Sequence, residues 1–246
     1  MTVVHVASLD FSRRAYTPEL MDTEDCGYEE FRACLSDLAT VNRLTLTHRA
    51  TLGFLDRLAR SDLLPKDRPL RLVDVGSGYG DLLRRVDLWA GRRGIAVALV
   101  GIDLNPWSGR SAAEATPPGR PIRWVTGDVF EYADEPIDVV VSSQFAHHLD
   151  DAALRRFLCW MEEKARIGWL VADLHRHALP YHVFRFWSWA AGWHRFVRND
   201  GPISITRSLS LAEWRATLAA AGLGQLPIEV AWHVPFRVSV SRIRAA

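Results

Sequence analysis

Three acids stand at the ends of short apolar runs, each beside a glycine or a chain turn. Asp74 lies two residues before Gly76 in Leu72-Val73-Asp74-Val75-Gly76-Ser77-Gly78-Tyr79-Gly80-Asp81, Asp103 ends Val100-Gly101-Ile102-Asp103, and Asp128 follows Thr126-Gly127. Glycines allow a tight turn and a close backbone approach to a ligand, and the helix that follows such a turn presents free N–H groups. Asp103, 27 positions after Gly76, stands where a carboxylate can accept hydrogen bonds from two ribose hydroxyls. Three acids at successive strand ends call for a shared polyhydroxylated or amine-bearing ligand, because a carboxylate left without donors is costly to bury. A dinucleotide fingerprint would space its third glycine one residue later and seat a pyrophosphate on the helix N-terminus. Here Asp81 follows the early third glycine and Asp74 precedes the turn, so the local charge repels a pyrophosphate and suits a ligand carrying an ammonium and a sulfonium.

Histidines form a second constellation. His147 and His148 follow the apolar run 137–142, and His175 and His177 flank Arg176 after the run 167–172. Tyr181, Phe184, Phe186, Trp187, Trp189, Trp193 and Phe196 then crowd one segment with His182 and His194.

These residues need a scaffold that brings strand ends together. Before the first glycine turn, Leu35, Leu38, Val41 and Leu44, then Leu52, Leu55 and Leu58, recur at threes and predict helices. Pro65 and Pro69 release the chain into a strand over 70–75. The pattern then predicts a helix from about Asp81, a strand over 96–102, a helix near 108–115, strands over 121–125 and 137–142, a helix over 150–164 and a strand over 167–172. Apolar strands alternating with helices imply right-handed crossovers and a parallel sheet covered on both faces. Such a sheet binds ligands beyond the carboxyl ends of its strands, where all of these motifs fall. A helix over 211–221 closes at Gly222, and strand candidates near Val230 and Val238 predict a terminal hairpin on the sheet edge.

The 246 residues suffice for one large α/β domain with appended elements. Composition, 48% hydrophobic and 24% charged, is that of an ordinary globular protein, and a net charge of +1 lacks the global basic surface of a duplex-binding protein. No apolar run approaches the roughly 18 residues of a spanning helix. The Thr2–Leu9 stretch has Arg13 and Arg14 after its apolar part, an order that argues against a secretory signal. Cys26, Cys34 and Cys159 are odd in number and widely spaced, which fits reduced core thiols and a cytoplasmic protein better than disulfides or a zinc site, and no residue is assigned to a metal.

Over roughly 70–175 the chain resembles the class I S-adenosylmethionine-dependent methyltransferases. The resemblance rests on Val73–Gly80, Gly101-Ile102-Asp103-Leu104-Asn105, Gly127-Asp128-Val129 and Asp138-Val139-Val140-Val141-Ser142-Ser143-Gln144-Phe145-Ala146-His147-His148-Leu149-Asp150. It implies a Rossmann-like α/β fold with a seven-stranded, mostly parallel sheet, and S-adenosylmethionine as cofactor with S-adenosylhomocysteine as product. By analogy Gly76, Ser77, Gly78 and Gly80 form the turn beside the methionine part, with Asp74 in its hydrogen-bond network. Asp103 takes the ribose, Leu104 covers the adenine, Asp128 meets its amino group beside Val129, and Ser143 and Gln144 line the inner wall.

Methyl transfer is an in-line displacement at a sulfonium, and a hydroxyl acceptor needs its proton removed. No Asn-Pro-Pro-Tyr or Asp-Pro-Pro-Tyr follows the fourth strand, which lowers the case for amino methylation of nucleobases and favours a small-molecule hydroxyl, with imidazole as base. His175 is the first choice, and Asp173 is placed either to orient an imidazole or to bond to the loop after the fourth strand; His147 and His148 compete, the latter also fitted to brace the helix from Asp150. Arg176 suits an acidic or phenolate acceptor. Seven aromatics over 181–196 predict a lid in which Tyr181, Phe184 and Trp187 face a shared cavity, fitting an aromatic or polyketide-like acceptor. Asn42 and Arg43, and the polar stretch 198–202, add groups that close over the site.

The sequence thus predicts a single methyltransferase domain over 1–246: a helical cap at 1–68, a cofactor-binding core at 69–174, a lid at 175–205, and a C-terminal helix and hairpin at 206–246. A monomer or homodimer without nucleic-acid partners is expected. Carbon or nitrogen methylation, or a non-catalytic cofactor-binding subunit, are the alternatives.

Overall fold

The computed structural model describes residues 10–132 and 136–244; the Thr2–Leu9 stretch lies outside them. After α1 (Leu20–Thr23), α2 (Tyr28–Leu44) and α3 (Arg49–Arg60), the chain alternates β1 (Leu70–Val75), α4 (Asp81–Gly91), β2 (Val97–Asp103), α5 (Pro106–Glu114), β3 (Ile122–Thr126), β4 (Ile137–Ser143), α6 (Asp151–Lys164) and β5 (Ala165–Leu174). Helices α7 (Ala178–Ala190), α8 (Arg195–Arg207) and α9 (Leu211–Ala220) follow, and β6 (Glu229–His233) and β7 (Arg237–Ile243) close the chain. The seven strands lie in the order β3-β2-β1-β4-β5-β7-β6. All pairings from β3 to β5 are parallel, whereas β7 runs antiparallel to both β5 and β6. Strand order therefore reverses between β1 and β4, and a crevice opens beyond their carboxyl ends.

Alternating side chains of each strand feed two cores. Val73, Val75, Val140, Trp169 and Val171 meet α6 and α9 through Leu154, Phe157, Met161, Trp214 and Leu218. On the other face Leu70, Leu72, Leu99, Val139, Val141 and Leu170 meet α3 and α4 through Phe54, Leu55, Leu58, Leu83 and Val86. Each fully buried side chain of this size contributes roughly 1.5–3 kcal/mol, so the central strands are the most firmly held elements and their ends a rigid platform. Helix starts follow their caps: Asn105 accepts from the Trp107 N–H ahead of α5, Asp150 from the Ala153 N–H ahead of α6, and Ser210 and Glu213 form a capping box on α9.

Two departures from the sequence reading have plain causes. Helix α3, read as part of the cap, covers the sheet, because its apolar residues find their largest partner surface there. The stretch 198–202, read as polar groups closing over the site, lies inside α8. Asp200 is buried there and accepts the N–H groups of Leu20 (2.8 Å) and Met21 (3.0 Å), while Gly201 leaves room for the Phe184 ring. Helix α2 packs on α8 through Cys34, Val41, Phe196 and Val197, and this third cluster roofs the crevice. Among the cysteines Cys34 is buried and Cys159 exposed, and all three are free thiols. Among the described residues no helix is long and apolar enough to cross a membrane.

Candidate active site

A cavity of about 630 Å³ extends from the β1 turn, over the ends of β2 and β4, to the roof formed by α2 and α8. At its β1 end, Gly76 and Gly78 hold positive φ (71° and 48°), a region that other residues enter at a cost. A side chain on Gly76 would strike the Phe145 ring, whereas Gly78 faces open space. Asp103 is fixed from both sides: one oxygen accepts the Gly78 N–H at 2.8 Å and the other the Asn105 N–H at 2.9 Å. Burial nevertheless raises the Asp103 carboxyl above its ordinary range, against those two N–H groups. Asp74 is fully enclosed, and burial, with Asp81 and Asp103 nearby, pushes it well above that range. One Asp74 oxygen and the Ser143 hydroxyl are buried without a partner. Orphaned acceptors of this kind fit a ligand that brings its own donors, such as an ammonium and ribose hydroxyls. Leu104 is exposed over this end of the cavity, and Asp128 accepts the Phe130 N–H at 2.9 Å as the cap of a short helix, with Val129 behind it.

A polar network crosses the middle of the cavity and ties the helical roof to the sheet. Gln144, in the left-handed region at φ 55°, donates to Asn42 Oδ1 (2.6 Å) and accepts from Arg237 (3.2 Å). Asn42 in turn donates to Asp81 (3.1 Å), which also meets His48 Nε2 at 2.7 Å. Burial raises the Asp81 carboxyl, but the bonds from His48 and Asn42 hold it below its ordinary range. Arg237 donates further to the hydroxyls of Thr45 (2.8 Å) and Thr47 (3.0 Å), and enclosure lowers its guanidinium to about 10. These bonds fix the Gln144 amide, which a strained backbone would otherwise leave to drift.

At the far end stand two histidine–carboxylate pairs. His147 Nδ1 lies 2.7 Å from Asp173 Oδ1, and its backbone N–H donates to the other Asp173 oxygen at 3.0 Å. Burial would raise the Asp173 carboxyl, but the His147 imidazole and the N–H groups of Leu174 and His147 hold it below its ordinary range. His148 Nδ1 meets Asp22 at 3.0 Å. Burial alone would lower His148, yet Asp22 and Glu19 lift it above its ordinary value. A carboxylate only accepts, so both Nδ1 atoms carry hydrogen and both Nε2 atoms turn toward Glu19, each 3.8 Å from one of its oxygens. Glu19 is itself buried and accepts from Ser204 Oγ at 2.9 Å.

Glu19, His147 and His148 bring donor atoms within 4.8 Å of one another, a grouping close enough for a metal ion or for passing a proton. The Arg207 guanidinium, 4.0 Å from Glu19, already supplies a cation there. Around it the wall is apolar: Met21, Phe31, Leu35 and Leu38 from the roof, Phe184 and Phe196 from the aromatic helices.

Of the residues singled out in the sequence, Asp74, Gly76, Ser77, Gly78, Asp103, Leu104, Asp128, Val129, Ser143, Gln144, His147, His148, Asn42 and Phe184 line this one cavity. Gly80 does not; at φ 71° it starts α4, and a side chain there would enter the Trp124 ring. His175 lies outside the cavity lining, half-buried beside β7, where its N–H donates to the Phe236 carbonyl. Asp173 holds His147, in the loop after β4, and not His175. Arg176 is buried away from the cavity, bonded to Glu213 (2.6 and 2.7 Å) and to the carbonyls of Ser208 and Phe11. Tyr181 packs edge-on against Phe11, Trp187 stands in solvent, and Arg43 is exposed. Glu19, Asp22, His48 and Arg237 escaped the sequence reading. None belongs to a local pattern, and only the return of distant helices and β7 to the crevice brings them in.

The comparisons agree with this geometry. Residues 73–168 match a family model described as a methyltransferase domain. No curated protein sequence matches the chain. Among solved structures, the plantazolicin methyltransferase BpumL in complex with a triazolic desmethylPZN analog and SAH is similar at TM-score 0.62 and 12% identity, over 89% of this chain and 97% of that one. Human N-acetylserotonin methyltransferase in complex with SAM is similar at TM-score 0.60 and 15% identity, over 89% of this chain and 57% of that one. The magnesium protoporphyrin IX methyltransferase of Synechocystis PCC 6803 with bound SAH gives TM-score 0.52 and 15% identity, over 82% and 83%. Residues 73–168 thus match a methyltransferase domain, and the chain as a whole shares the fold of these solved methyltransferases.

Proposed function

We propose that this protein transfers the methyl group of S-adenosylmethionine to a hydroxyl of a small, mainly apolar molecule of aromatic or polyketide-like character. One observation carries the reading: the buried His147–Asp173 pair, whose Nε2 turns toward Glu19 in the lining of the same cavity that holds Asp74 and Asp103. S-adenosylmethionine supplies an activated methyl on a sulfonium. The orphaned Asp74 oxygen and the fixed Asp103 carboxylate would accept from its ammonium and ribose, and Leu104 and Val129 would flank the adenine. Asp173 fixes the His147 tautomer, so Nε2 accepts the acceptor's proton as the new bond forms, and Glu19 stabilises the resulting imidazolium across 3.8 Å. The walls of α2 and α8 hold the acceptor in line, and alignment contributes roughly 7–11 kcal/mol of barrier reduction.

Two other residues singled out in the sequence take different work under this reading: His148, held by Asp22, braces the Glu19 carboxylate, and Arg176 secures the chain where it leaves β5. A second reading, transfer to an amine, is favoured by the same Glu19 carboxylate, which would pair with an ammonium. A matched panel of phenols and their aniline or amine counterparts separates the two. His147→Ala and Asp173→Asn each lower turnover on a hydroxyl acceptor by roughly 10²–10⁴-fold while leaving affinity for S-adenosylhomocysteine within threefold. Wild-type turnover in both variants would remove His147 from the reaction.

A further inference from the structure

Helix α7 is apolar on both faces. On its inner side Phe184 packs against Gly201 of α8 and lines the cavity, Ser188 is buried, and Tyr181 packs against Phe11. Its outer face carries Leu179 (53% exposed), Val183 (43%), Phe186 (64%) and Trp189 (69%), with Trp187 (54%) beside them. Leu179, Val183 and Phe186 follow the spacing of a helical stripe, with Trp189 and Trp187 on its two flanks, so together they make a broad exposed apolar face. Faces of this kind mark interaction sites. No other helix among the described residues leaves as many large apolar side chains in solvent.

Charge identifies what the face meets. Residues 174–199 contain no aspartate or glutamate, yet they contain Arg176, Arg185, Arg195 and Arg198, in a chain whose net charge as a whole is only +1. Arg176 is consumed internally, and Arg195 is paired with Glu24 and Glu30. Arg185 and Arg198 have no acidic partner among the described residues and stand in a shallow cleft between α7 and α8 that is also lined by His182, Phe186, Trp189, Asn199 and the paired Arg195. Exposed tryptophan and phenylalanine beside unpaired arginines combine the two attractions that hold a helix in the plane of a membrane: apolar burial at the acyl boundary and attraction to anionic headgroups. A second copy of this chain would bring the same two arginines to the contact, like charge against like.

We propose that the outer face of α7 docks on an anionic lipid bilayer, with Phe186, Trp187 and Trp189 at the acyl boundary and a headgroup phosphate between Arg185 and Arg198. Because Phe184 of the same helix lines the cavity, docking also brings the acceptor chamber next to the lipid, where apolar acceptors concentrate. That last consequence rests on the proposed reaction; the docking itself does not.

Flotation of the intact protein with vesicles tests it without any acceptor. Wild-type protein is expected to float with phosphatidylcholine vesicles containing 30% phosphatidylglycerol, and to float poorly with phosphatidylcholine alone or in 0.5 M salt. Replacing Arg185 and Arg198 together by alanine should weaken partitioning about 25-fold, roughly fivefold for each cation near the surface. The pair Trp187→Ala and Trp189→Ala should weaken it at least tenfold. Unchanged affinity for S-adenosylhomocysteine shows that the variants are folded. The proposal is overturned by failure of wild-type protein to float, or by flotation indifferent to both double variants. A dimer in sedimentation that the tryptophan variant dissociates also overturns it, by assigning the face to self-association. Loss of cofactor binding by wild-type protein, with flotation intact, would instead refute the proposed reaction and leave the docking standing.

Discussion

Replacing Asp103 by asparagine isolates one ligand contact with little change of shape. In the native protein the two Asp103 oxygens are already held by the Gly78 N–H (2.8 Å) and the Asn105 N–H (2.9 Å), so their remaining lone pairs point to the cavity without further ordering. Asparagine keeps one of those acceptors and turns the other into an N–H₂ that faces a backbone donor. Cofactor binding then loses one hydrogen bond to a charged group, about 1.5–3 kcal/mol, or roughly 10- to 150-fold in affinity. Calorimetry with S-adenosylhomocysteine at neutral pH reads this directly, with a thermal melt to show that the turn is intact. The raised Asp103 carboxyl adds a second signature. Its charge is present above its folded pKa and lost below it, so wild-type affinity should begin to fall at a pH above the ordinary carboxylate range, and the asparagine variant should lack that step. Affinity within threefold of wild type, or the same pH dependence in both proteins, would refute the assignment of Asp103 to the ribose.

Arg176→Met should destabilise the fold by roughly 3 kcal/mol, the low end for a broken buried pair because Glu213 keeps a third of its side chain in solvent, and should leave cofactor affinity unchanged; urea unfolding and calorimetry check both. Gly80→Ala should cost about 2–4 kcal/mol, from the left-handed backbone and the collision with Trp124, read as a lower midpoint in the same unfolding experiment. His148, raised in the folded state, contributes stability that is complete below its unfolded value near 6.5 and is lost as pH rises through the folded value. Stability measured across that window should therefore decline toward alkaline pH, and His148→Gln should flatten the decline.

Much of the sheet was legible in the chain because parallel strands buried on both faces are written as unbroken apolar runs. Leu70–Val75 and Val139–Val141 needed no partner to be recognised, and the glycine turn and Asp103 are consecutive with their strands. The antiparallel hairpin at the edge was equally plain from its alternating residues near Val230 and Val238. The acceptor end was harder for a physical reason. His147 and His175 are both histidines just beyond a strand, both within reach of Asp173 in sequence terms. Which of them Asp173 serves depends on the side to which each chain turn sends its ring. Likewise the aromatic density of 181–196 carries no sign of direction: Phe184 turns into the roof while Phe186, Trp187 and Trp189 turn out. Arg176 reads as a ligand for an anion until Glu213, 37 residues later, is seen to occupy it. Glu19 and Arg237, near opposite ends of the chain, meet the cavity only through the packing of α1 against α8 and of β7 against β5.

A crystal structure with bound S-adenosylhomocysteine tests the central claim most directly. The ribose hydroxyls are predicted to lie on Asp103, the ammonium near the orphaned oxygen of Asp74, and the sulfur to face the chamber where His147 Nε2 turns toward Glu19. A sulfur directed away from His147, or a ligand seated outside this cavity, would contradict it.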